Sequence, residues 1–66
     1  MKVLIIDILE NKYIYENESC NTITEVIYIC NQQKYIPATY IETFDETQVK
    51  SFLNTNHILR ITNYEN

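Results

Sequence analysis

A chain of 66 residues with no glycine has few ways to turn tightly and few ways to cradle a phosphate. Glycine reaches positive φ without steric cost and lets the backbone approach a ligand closely. A P-loop, a dinucleotide fingerprint and a nucleophile elbow each need it at fixed positions, so all three are excluded. Turns must then rest on residues such as Asn, which tolerates the left-handed region better than other non-glycine types. No catalytic constellation stands out, and the expectation is a binding protein, not an enzyme.

Sixty-six residues make a single domain, 1–66. A chain of about 60 residues buries only about 60% of its unfolded surface and often needs a disulfide, a metal or a partner copy. At 45% apolar and 21% charged, the composition is that of a globular protein. The apolar stretch Val3-Leu4-Ile5-Ile6 is interrupted by Asp7 and ends by Leu9, far short of a membrane span. With no secretory leader in that stretch, a soluble cytoplasmic protein without membrane contact is expected.

Lys2 to Leu9 reads as a strand, with Leu4, Ile6 and Ile8 on one side and Val3, Ile5, Asp7 and Leu9 on the other. Two apolar sides suggest a central strand covered on both faces. Glu10-Asn11 supplies a turn, and Lys12 to Glu16 pairs back with Tyr13 and Tyr15 on one side. After a polar loop, the β-branched and aromatic run Thr22 to Cys30 reads as a third strand. Lys34 to Thr43 follows as a fourth, with Pro37 marking an edge, a bulge or a break. Asp45 as N-cap, Gln48 three residues later and the stripe Val49, Phe52, Leu53 predict a helix. Ile58 to Thr62 closes as a strand. The expected fold is α+β, a small antiparallel sheet of four to five strands and one short helix. Its order is strand, strand, strand, strand, helix, strand. Such a helix is too short to cover both apolar faces, so the sheet curls into a barrel or a second copy covers the rest. A homodimer is expected.

Cys20 and Cys30, as the two ends of a strand, would stand about 30 Å apart, too far for a disulfide. One histidine and no C-x-x-C pair leave no metal site, and no cofactor is implied. Cys20 and His57 are the one pair of residues that could suggest nucleophilic catalysis, and nothing in their spacing joins them. The tyrosines point to binding, since a half-apolar ring with a polar tip is enriched at interface hot spots. The candidate protein-binding residues are Tyr13, Tyr15, Glu16, Glu18 and Tyr40.

The segment Tyr35-Ile36-Pro37-Ala38-Thr39-Tyr40-Ile41 resembles the final-strand motif of SH3 domains. No tryptophan pair precedes it, and more chain follows than in that family. The resemblance implies an SH3-like small β-barrel as an alternative fold. It also implies a proline-rich-peptide site that would use Pro37 and Tyr40.

The net charge is −4, and the five basic residues (Lys2, Lys12, Lys34, Lys50, Arg60) are scattered singly along the chain. Direct nucleic-acid binding needs clustered cations, so it is disfavoured and a protein partner with a basic surface is favoured. Small size, acidity and an isoleucine-, asparagine-, tyrosine- and lysine-rich composition of the kind AT-rich coding gives suggest a viral or mobile-element protein. It would act as inhibitor or adaptor of host nucleic-acid-handling or defence machinery. An SH3-like peptide-binding module and a regulatory nucleic-acid binder are the alternatives.

Overall fold

The computed structural model describes residues 1–64. Five strands and one helix follow the order β1 (Lys2–Asp7), β2 (Lys12–Glu16), α1 (Ile23–Gln32), β3 (Tyr35–Ile41), β4 (Gln48–Asn54) and β5 (Ile58–Asn63). All neighbouring strands pair antiparallel, in the spatial order β4-β3-β2-β1-β5. The α+β class is as expected, but the helix lies between β2 and β3, not before the last strand.

Two segments exchange roles relative to the sequence expectation. Thr22 to Cys30 is not a strand. Thr22 caps a helix: its hydroxyl accepts from the Glu25 N–H at 3.2 Å and donates to the Glu25 carboxylate, which also accepts from the Asn21 N–H. This is the Thr-x-x-Glu capping pattern. Ile23, Val26 and Cys30 then fall on one helical face and turn toward the core. Conversely, Asp45 caps no helix. Its carboxylate accepts from the Thr47 N–H at 3.0 Å and shapes the β3–β4 hairpin loop. Beyond it Val49, Ser51 and Leu53 alternate with Gln48, Lys50 and Phe52 in β4. Phe44 is 99% exposed and staples nothing.

Both hairpins are closed without glycine. Glu10 (φ 66°) and Glu46 (φ 58°) occupy the left-handed position of their loops. Neither has the short side chain that normally eases this conformation, which costs an L-residue about 1 kcal/mol or more.

The sheet curls. β4 and β5 lie at opposite edges, which a flat sheet would hold about 19 Å apart. A single 3-10 turn, Thr55–His57, nevertheless connects them. The four steps from Asn54 to Ile58 span at most about 14 Å. The turn ties the start of β3 to the end of β1, with Thr55 N–H on the Lys34 carbonyl (2.8 Å) and Ile8 N–H on the His57 carbonyl (2.9 Å). No ladder joins β4 to β5 among the described residues, so the SH3-like closed barrel is not formed.

Inward residues of the curled sheet make the core: Val3 and Ile5 of β1, Tyr15 of β2, Ile36 and Ala38 of β3, and Leu53 of β4. Val26 and Cys30 of α1 and Cys20 complete it. A bulge between Ile6 and Asp7 of β1 leaves Leu59 unpaired on β5, so that Ile58 and Ile61 both turn inward. Among the described residues, the other face of the sheet carries no helix.

With the strand between Cys20 and Cys30 gone, the 30 Å separation no longer applies. Both thiols are free and buried in one cluster. Burial, with Cys20 close by, pushes the Cys30 thiol above its ordinary value.

Three substitutions separate this arrangement from the expected one in urea denaturation. Thr22→Ala should cost about 1 kcal/mol through loss of the cap. Leu53→Ala should cost about 2–5 kcal/mol as a core truncation. Phe52→Ala, on the outer face, should stay within about 0.5 kcal/mol. A large loss at Phe52 with none at Thr22 would restore the helix to Asp45–Leu53.

Candidate functional site

The residues singled out as a tyrosine and glutamate patch do not form one surface. Tyr15 is core, 5% exposed, and its hydroxyl accepts from the Asn17 side-chain amide at 3.0 Å. Tyr13 and Tyr40 share the inner face and pack ring to ring, with centroids 5.5 Å apart at 57°. Glu16 points to the outer face, and Glu18 is exposed in the loop before α1. Pro37 and Tyr40 lie three positions apart on β3, so strand alternation sends them to opposite faces. The peptide groove implied by the SH3 resemblance therefore cannot use both.

Tyr13 belongs to a structural network around Asp7. Asp7 is 5% exposed as a residue, and its carboxylate accepts from the Leu9 and Asn11 N–H groups at 2.9 Å. It also accepts from the Asn11 side chain at 3.1 Å and the Tyr13 hydroxyl at 3.3 Å. Burial works to raise the Asp7 carboxyl, but these hydrogen bonds outweigh it and hold it below its ordinary value. Burial, followed by the charge of Asp7, raises the Tyr13 hydroxyl. Every acceptor site of Asp7 is thus occupied in closing the β1–β2 hairpin.

The outer face is different in character. The strand registers place its residues in rows across the sheet. One row runs Gln48, Ile41, Lys12, Ile6, Arg60, and the next Lys50, Thr39, Ile14, Leu4, Thr62. Phe52 sits beside Pro37, and Glu16 beside Lys2, in the third row. Four of the chain's five basic residues, Lys2, Lys12, Lys50 and Arg60, therefore share this face, all exposed. Glu16 is the one acidic strand residue there among the described residues. Residues scattered singly along the chain come to share one face because each cation holds the outward parity of its strand.

A groove of about 750 Å³ opens on this face. It forms because the β2–β3 ladder stops at Ile14–Thr39: beyond it Tyr15 and Glu16 pair only with β1, and Ile36 and Pro37 only with β4. Lys2, Ile14, Glu16 and Tyr64 line one wall and Pro37, Thr39, Lys50 and Phe52 the other. The Pro37 position is explained by the same split, since β3 is locally an edge on the β2 side, where a missing N–H is tolerated. Phe52 is 72% exposed. The Lys2 ammonium lies 5.5 Å from the Tyr64 ring centroid, within cation–π range.

For other chemistry the structure offers less. Cys20 is buried in the core, whereas His57 is exposed in the 3-10 turn. No group of three or more His, Cys, Asp or Glu side chains able to hold a metal occurs among the described residues. No helix among them is long and apolar enough to cross a membrane. No family model, curated protein or solved structure matches the chain.

The Asp7 network makes a pH prediction. Because the folded carboxyl titrates below its unfolded value, its stabilisation is complete above about pH 4 and is lost as pH falls through the folded value. Asp7→Asn, which cannot satisfy four donors, should cost about 1–3 kcal/mol at neutral pH. The gap from wild type, followed by thermal denaturation, should narrow below about pH 4. A gap unchanged into acid would mean that the Asp7 charge contributes nothing.

Proposed function

We propose that this chain is a small non-catalytic binding module whose working surface is the outer sheet face, and that its partner is anionic. The observation that carries this reading is that Lys2, Lys12, Lys50 and Arg60 all stand on that face, with Glu16 the one acidic strand residue there among the described residues. A net charge of −4 says nothing of this local excess, because the remaining acidic residues of the described chain lie in turns, loops, α1 and the inner face. The partner expected from composition was basic; the geometry favours the opposite sign. Binding without chemistry is retained, and an accessory role beside nucleic-acid-handling machinery is compatible with such a surface.

A second copy suits this face poorly, because an isologous pairing would set cations against cations. Self-association through the unpaired edges of β4 and β5 is the alternative route to a dimer.

Heparin-agarose provides the test. At low ionic strength and neutral pH the wild-type chain should be retained despite its net negative charge. The double variant Lys12→Glu, Lys50→Glu should flow through with an unchanged circular dichroism spectrum. Glu18→Lys should not be needed for retention. Wild-type protein in the flow-through would contradict the proposal.

A further inference from the structure

We propose that the groove binds single-stranded nucleic acid, an inference that rests on the outer face being the anion-binding surface. Single strands are held by two kinds of contact, cations along the phosphates and rings on which unstacked bases lie. The groove supplies both within one cleft. Lys2 and Lys50 stand on opposite walls, and the Phe52 ring, 72% exposed, has no core to pack into. Tyr64 lies at the other wall with the Lys2 ammonium against it. Lys12 and Arg60, in the adjoining row on either side of Ile6, continue the cationic track beyond the groove.

Three alternatives fit less well. A duplex keeps its bases stacked out of reach of Phe52, leaving that ring without a partner. A folded acidic protein would dock on a patch whose centre is depleted of lysine, whereas here Lys2 and Lys50 are in the walls of the groove itself. A lone phosphate would leave the apolar surface of Phe52 and Pro37 unused. The groove's volume, about 750 Å³, lies within the range of about 300–1,000 Å³ that encloses small ligands, which leaves room for a base. The acidic remainder of the surface repels a polyanion, so binding is confined to this side.

The experiment is fluorescence anisotropy with a labelled short oligothymidylate. Binding should saturate, with log Kd depending linearly on log salt. Up to four phosphate contacts on a single strand give a slope of about 2–3 in magnitude. Lys50→Gln should lower that magnitude by about 0.7. Phe52→Ala should weaken binding by roughly tenfold while leaving the slope alone. Glu25→Gln, on α1, should change neither.

Absence of an anisotropy change at low salt, for protein that heparin retains, would overturn the nucleic-acid assignment and leave the anionic-partner surface standing. Failure on both supports would remove both. Displacement of the oligonucleotide by oligoglutamate of equal charge at equal concentration would also overturn it, as would full binding by Phe52→Ala, because either means that the surface reads charge alone. Phe52→Leu, which keeps apolar bulk without the ring, separates stacking from loss of shape and should bind as weakly as Phe52→Ala.

Discussion

One buried carboxylate fixes the frame on which everything else hangs. Asp7 ends β1, and its two oxygens collect the N–H groups of Leu9 and Asn11, the Asn11 amide and the Tyr13 hydroxyl. That ties the last residue of one strand to the second residue of the next, so Val3 must face Tyr15 and Ile5 must face Tyr13. A slip of one residue would turn every side chain of the slipped strand to the other face. A slip in β1 would trade Val3 and Ile5 for Lys2 and Leu4 in the core, and a slip in β2 would trade Tyr15 for Lys12 and Ile14. The function proposed for the outer face thus depends on an acid that never reaches it.

The strands whose character rests on alternation were legible in the sequence. β1 and β2 and the two sides of each follow from the pattern in Lys2–Leu9 and Lys12–Glu16, and β3 and β5 from similar runs. The helix was misplaced for a physical reason. Ile23, Val26, Ile27 and Ile29 are β-branched and read as a strand, and the Thr22–Glu25 capping pair is the signal that reading missed. Tertiary burial of Val26 and Cys30, with that cap, overrides a propensity difference of well under 1 kcal/mol per residue. Asp45 shows the reverse error, since an Asp before two polar residues caps a helix or closes an Asx turn with equal chemistry. The spacing of Val49, Phe52 and Leu53 fits a helix, while Val49, Ser51 and Leu53 fit a strand equally well. Only the partner strand, β3, decides between them.

The cations of the candidate site come together across the sheet and not along the chain. Lys2, Lys12, Lys50 and Arg60 share no run, yet each stands at an even step from outward residues of its own strand. In β1 and β2 that parity was visible, because Lys12 alternates with Tyr13 and Tyr15. In β4 it was obscured by the helix assignment, and in β5 the bulge at Leu59 shifts the frame. The tyrosines misled for a related reason: Tyr13 and Tyr15 have the inward parity, and their hydroxyls are used by Asp7 and Asn17. With no glycine in the chain, Glu10 and Glu46 take the left-handed positions of the two hairpin loops, where Asn was the expected residue type.

The central claim is that the working surface is the face turned away from α1, and a backbone amide shift map of the chain titrated with oligothymidylate tests it most directly. Perturbations should concentrate at Lys2, Ile14, Thr39, Lys50, Phe52 and Tyr64 and leave Ile23–Gln32 of α1 in place. Shifts gathered instead on α1 and the loop around Glu18, with Lys50 and Phe52 unmoved, would contradict it.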